Sequence, residues 1–219
     1  MKKVRTKKIH HVSGVRVGLY LSGDAVTRLN EVRRHVRIPE RMRHLWHSRF
    51  ISVIHEFYRR ERDTDYLASC AKATDEPQLA QALISYARFP EHLPISHRPW
   101  VPSVNLNTGG LEVGFRADME GVVNGEHIAL KFVYNRQGTS PEALKAIAAV
   151  YGFIWSSPDS PLAVPPGRFR VEDVYTGIYY EGDPDSIITC IALERLCSEL
   201  KAAIDAEFRA LLSVFKRRR

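Results

Sequence analysis

Residues 111–134 constrain this chain more tightly than any other stretch. Gly114-Phe115-Arg116-Ala117-Asp118 and Ile128-Ala129-Leu130-Lys131 read as neighbouring β-strands. Strands are expected over 111–117, 119–123 and 127–134, with Asn124-Gly125 supplying a tight hairpin turn of the favoured kind. The first strand delivers an acid, Asp118, and the last a base, Lys131. Ala129 stands two positions before the lysine.

The rest of the chain surrounds this hairpin with helices. Residues 1–12 read as a basic arm. Val15, Val17, Leu19 and Leu21 alternate with Arg16, Gly18 and Tyr20, which is strand periodicity with one apolar face. Ser22 and Asp24 offer caps for a short helix spaced by Val26, Leu29 and Val32. Pro39 suits the first turn of a longer helix running to about Arg62, its buried stripe marked by Met42, Trp46, Phe50, Ile54 and Phe57. Leu79, Leu83 and Tyr86 mark another helix. Pro90, Pro94, Pro99 and Pro102 then exclude one and read as a linker or an extended lead-in to a sheet. Downstream come a helix from Ser140-Pro141 to Trp155, a Pro- and Ser-rich loop to Gly167, strands over 169–174 and 176–180, and a long terminal helix. The expected fold class is α/β (α+β): a central mixed β-sheet flanked by helices. The division is a basic arm (1–12), a mainly helical region (13–89), a Pro-rich linker (90–104) and an α/β domain (105–219).

At 219 residues and 44% hydrophobic content the chain can bury a proper core. A net charge of +7 favours an acidic partner, of which nucleic acid is the commonest. The tract Arg33, Arg34, Arg37, Arg41, Arg43, Arg49, Arg59, Arg60 and Arg62 uses guanidinium almost exclusively, and guanidinium matches phosphate in bidentate fashion. Cys70, Cys190 and Cys197 suit neither a zinc knuckle nor a disulfide framework and read as buried thiols of a cytoplasmic protein. No apolar run approaches membrane-spanning length. Asn107-Thr108-Gly109-Gly110 lacks the lysine and spacing of a phosphate loop.

The order of elements from about 105 to 215, with Gly114, Asp118 and Lys131, resembles the PD-(D/E)xK nuclease superfamily, and its RecB-like branch most. The resemblance implies a restriction-endonuclease-like sheet, an Asp ligand at Asp118, a second acid two residues before the lysine, and Mg²⁺ chemistry on phosphodiesters. Here the second acid falls on Ala129, and Ile147 stands where the branch places a Gln before Tyr151. Mg²⁺ draws on at least two carboxylates in most such sites, so Asp118 alone would hold it weakly. Glu120, two residues from Asp118 on the same strand face, and Glu126 are the candidates for a relocated acid. The catalytic set is therefore Asp118, Lys131, Glu120 and Glu126, with Asp118 and Glu120 as metal ligands. The branch also carries a helical His, to which His47 is the nearest counterpart; His44, His47 and Glu56 form a further ligand candidate.

Residues 13–60 bear a weaker resemblance to ribbon-helix-helix DNA-binding units. It implies that Val15 to Leu21 form a ribbon strand in a dimer, with Arg16, Gly18 and Tyr20 facing bases. The opposing reading makes this segment an edge strand of the larger domain. The nucleic-acid-binding set is Arg16, Tyr20, Arg33, Arg34, Arg37, Arg41, Arg43 and Arg116.

The leading functional expectation is nucleic-acid binding, DNA ahead of RNA, on a nuclease-like scaffold with weak or no hydrolysis, in nucleic-acid processing or mobile-element biology. Mg is a cofactor only if the site is catalytic. The alternatives are an active Mg-dependent nuclease, a dimeric ribbon-helix-helix regulator and a protein-interaction subunit. A homodimer or membership of a larger complex fits these readings; a membrane does not.

Overall fold

Alternating strand residues and amphipathic helices build a mixed α/β architecture in two sheets. The computed structural model describes residues 10–37, 45–89, 96–98, 103–123, 125–135, 138–155, 169–181 and 188–217. In chain order these form β1 (His11–Ser13), α1 (Gly14–Ser22), α2 (Ala25–Arg37), α3 (Leu45–Arg59), α4 (Thr64–Ala73), α5 (Pro77–Ala87), β2 (Ser96–Arg98), β3 (Ser103–Thr108), β4 (Leu111–Arg116), β5 (Met119–Val123), β6 (Glu126–Val133), α6 (Pro141–Trp155), β7 (Phe169–Asp173), β8 (Tyr179–Glu181) and α7 (Cys190–Arg217).

The smaller sheet has the order β1-β4-β3 and the larger β2-β5-β6-β7-β8. The hairpin expected at Asn124-Gly125 pairs β5 with β6, Glu120 opposite Ala129 and Met119 opposite Leu130. Helix α6 carries the chain from β6 to the parallel strand β7. Between β4 and β5 the chain changes sheets at Ala117-Asp118, so Asp118 stands at the junction of the two.

Period-2 alternation divides β6 between two cores. Ala129 and Val133 pack with Ile147, Tyr151 and Phe169 under α1 and α6. Ile128, Leu130 and Phe132 face Phe50, Phe57, Leu83 and Tyr86 from α3 and α5. Each core joins N-terminal helices to later elements.

Several expectations need correction. Val15 to Leu21 form no strand: they lie in α1, capped by Ser13, whose side chain accepts from the Arg16 N–H. The apolar alternation misleads because glycines carry the helical face. A Cβ on Gly18 would stand 2.6 Å from Ile147 Cα, so α1 approaches α6 as closely as glycine allows. The α3 helix ends at Arg59 rather than Arg62, where Glu61 (φ 56°) and Arg62 (φ 67°) turn the chain through left-handed backbone. Helix α4 was not expected; Asp63 caps it and only Leu67 and Ala71 mark its buried side. The last short strand begins at Tyr179, after a turn in which Asp173 Oδ1 accepts from the N–H groups of Tyr175 and Thr176. The helix start at Pro39 lies outside the described residues.

Candidate functional site

The sheet junction places a carboxylate against a lysine. The Asp118 N–H donates to the Leu130 carbonyl at 2.7 Å, locking the bend to β6. Its Oδ1 accepts from Lys131 Nζ at 2.9 Å and its Oδ2 from the Phe132 N–H at 2.8 Å. Each carboxylate oxygen thus accepts one hydrogen bond from the neighbouring strand. Asp118 is 7% exposed and the Lys131 side chain 14%, so water screens the pair weakly. Burial alone would depress the Lys131 pKa. The Asp118 carboxylate, then Tyr151 and the hydrogen bond, outweigh burial and hold it above the ordinary value, so the ammonium stays charged.

Tyr151 closes the site from α6. Its ring stacks on Phe169 at 5.2 Å and meets Phe115 edge-on at 5.4 Å. Burial raises its pKa, and its phenol lies against the backbone of Val15 and Arg116. A Cβ on Gly14 would stand 2.8 Å from the Tyr151 ring, so the start of α1 roofs this side.

His55 of α3 approaches from the other face, its Nε2 3.2 Å from the Asp118 carbonyl oxygen. Burial lowers its pKa against the pull of Asp118, and Arg116 lowers it further. The resemblance had pointed to His47 as the nearest counterpart of the family's helical His. His47 stacks on Tyr134 with ring centroids 4.0 Å apart, and His44 lies outside the described residues. Glu56 is held by Arg59 and Arg60 at 3.1 and 3.0 Å. His47 and Glu56 are thus each engaged away from Asp118. The signal for His55 was present: His47, Ile51 and His55 follow at four-residue intervals along one flank of α3.

Of the remaining acids, Glu120 lies directly across from Ala129, on the same sheet face, and is buried at 5% exposure. It is the one relocated-acid candidate brought to the site. Glu126 opens β6 opposite Val123, and its backbone lies about 17 Å along the strand from Lys131 at the usual rise per residue. Its side chain lies outside the described residues. Among the described residues no group of three or more His, Cys, Asp or Glu could hold a metal ion. As arranged, the donor set suits the Lys131 ammonium better than Mg²⁺, because Asp118 is already paired with that ammonium and Ala129 supplies no second carboxylate.

The expected nucleic-acid contacts divide. Tyr20 is buried, with the Arg28 guanidinium 5.1 Å above its ring. Arg16 donates to the Glu31 carbonyl at 3.0 Å. Neither stands on a ribbon strand. Arg33 and Arg37 pair with Glu207 at 3.7 and 2.6 Å, and Arg34 with Glu31 at 3.5 Å. Arg41 and Arg43 lie outside the described residues. Arg116 is exposed at the end of β4, beside the site.

Among the described residues no helix is long and apolar enough to cross a membrane. No family model matches the chain, and no curated protein matches it.

Proposed function

We propose that this chain is a cytoplasmic nucleic-acid-binding protein on a nuclease-like scaffold, with weak or no hydrolytic activity, in nucleic-acid processing or mobile-element biology. DNA is the preferred ligand over RNA. The observation that carries the reading is the Asp118–Lys131 pair at 2.9 Å on adjoining β-elements, beside an alanine where a second carboxylate would complete a metal site. Such a frame keeps the cation that meets phosphate and lacks the oxygen ligands that hold Mg²⁺. The net charge of +7 supports an anionic partner.

One observation favours a second reading, a working metal-dependent nuclease: Glu120 stands in register with Ala129 and could restore the missing carboxylate from the next strand. Labelled DNA and RNA incubated with Mg²⁺, with Mn²⁺ and with chelator separate the two. The first reading expects binding in every arm, with little or no cleavage. Metal-dependent cleavage that disappears in Asp118→Ala and Glu120→Gln would overturn it in favour of the second.

A further inference from the structure

We propose that the solvent-facing side of the small sheet β1-β4-β3 reads base edges in the major groove of duplex DNA, with His11 and Asn105 as the reading pair. The inference rests on the nucleic-acid-binding reading. It adds where sequence is recognised, on a surface other than the Asp118–Lys131 pair.

Alternation along β4 sets the face. Leu111, Val113 and Phe115 enter the core, so Glu112, Gly114 and Arg116 point outward. Register places His11 beside Glu112, Ser13 and Asn105 on either side of Gly114, and Ser103 opposite Arg116. Every exposed residue of the three strands is polar: Ser13, Ser103, Asn105, Asn107, Glu112 and Arg116. Asparagine and glycine are disfavoured in strands, and an outward face makes no packing demand for them. Gly114 is the informative position. A glycine inside a strand marks a bulge, a tight bend or the close approach of another group. Pairing runs without a bulge on both sides of Gly114, and its backbone stays out of the left-handed region. A Cβ there would meet only side-chain tips, with Asn105 Oδ1 at 3.3 Å and His11 Nε2 at 3.5 Å. The glycine thus lets two side chains from opposite neighbouring strands converge over β4. Neither tip is spent. Asn105 makes no side-chain hydrogen bond among the described residues, and His11 meets only Glu112, through Nδ1 at 3.5 Å.

The chemistry of the pair matches bases. A carboxamide fits the N6 and N7 edge of adenine, and an imidazole N–H can donate to the N7 or O6 acceptor of guanine. Arg116, two residues from Gly114 on the same face, adds a guanidinium, the commonest partner of guanine. Three strands span about 10 Å, inside a major groove about 12 Å wide. Arg116 and Glu112 offset each other, so the face itself is nearly neutral. That suits base reading, because attraction to phosphates comes from the rest of a chain of net charge +7. The three strands expose no apolar side chain, which argues against a protein partner, whose interface core needs them.

The test uses the full chain and two random-sequence pools, one of duplex DNA and one of single-stranded RNA. Fluorescence anisotropy at one salt concentration then compares the enriched duplex with a scrambled duplex of the same composition. The wild type should prefer the enriched duplex by about tenfold or more, the ordinary worth of a bidentate base contact. Asn105→Ala should weaken binding of the enriched duplex by about tenfold and leave the scrambled one within about twofold. Gly114→Val parts the two tips and blocks the approach, so it should bind both duplexes equally. Valine favours strands, so this variant should melt no lower than wild type, and its loss of preference cannot be a folding defect. Wild-type preference in both variants, or tight binding of duplexes without any preference, would overturn the inference while leaving nucleic-acid binding intact. Enrichment from the RNA pool alone would overturn the duplex assignment. No binding of any nucleic acid by the wild type would overturn the broader reading itself.

Discussion

Replacing Asp118 by alanine should destabilise the protein severely, by an amount the geometry sets. The carboxylate accepts one hydrogen bond from a charged donor, Lys131 Nζ, and one from the Phe132 amide. Hydrogen bonds to charged groups are worth about 1.5–3 kcal/mol each, and removing one partner of a buried ion pair costs about 3–5 kcal/mol. The two routes agree on about 3–5 kcal/mol. For a chain of this length that corresponds to a fall in Tm of roughly 6–20 °C. The double variant Asp118→Leu with Lys131→Met removes both charges and leaves only the Phe132 amide unsatisfied, a cost of about 1–3 kcal/mol. Urea denaturation of wild type, Asp118→Leu, Lys131→Met and the double variant closes a thermodynamic cycle, with Asp118→Ala measured beside it. The expected coupling is at least about 2 kcal/mol, with the double variant more stable than Asp118→Ala. A loss below about 1 kcal/mol for Asp118→Ala, or strict additivity, would refute the buried pair.

Other elements give further tests. Gly18→Ala drives a methyl to 2.6 Å from Ile147 Cα and should cost about 1–3 kcal/mol in denaturation through overpacking; an unchanged midpoint would contradict the close α1–α6 approach. Burial pushes the Glu172 pKa up to about 6 from 4.5, against the Arg170 guanidinium 2.7 Å away and the Tyr86 hydroxyl. The folded chain therefore holds this proton more tightly than the unfolded one. The contribution, about 2 kcal/mol, is complete below pH 4.5 and lost as pH rises through about 6. Glu172→Gln should remove that slope, so the stability difference between variant and wild type should change between pH 4.5 and pH 7; a constant difference would contradict the raised pKa. Thiol titration should find Cys190 reacting first, since it is exposed. Cys197, buried with a pKa pushed up to about 11, should react only on unfolding; equal rates would contradict their placement.

Those thiols also show where the sequence was legible. Three buried cysteines were expected, yet Cys190 is exposed and Cys70 half-buried, because the N-terminus of α7 projects beyond the core that holds Cys197. The convergence of Asp118 and Lys131 was readable because a short hairpin fixes the β5–β6 register, and register fixes which side chains share a face. Helix α6 was readable from Ser140, whose hydroxyl accepts from the Ala143 N–H, and from Pro141. Helix α1 was not, because Gly14 and Gly18 carry the buried stripe while branched residues mimic a strand. Strand β2 occupies three residues of the Pro-rich passage, paired with β5, too short for periodicity to mark. His55 shares a flank of α3 with His47, but which of the two meets Asp118 depends on how α3 lies across the sheet, a tertiary fact that the spacing does not carry.

Binding of labelled duplex DNA, measured against rising salt with and without chelator, tests the central claim most directly. The account predicts that in chelator the logarithm of affinity falls linearly with the logarithm of salt concentration, by about 0.9 per phosphate neutralised, so that binding needs no Mg²⁺. Affinity that stays flat between 50 and 200 mM salt, on the order of a physiological range, would contradict it.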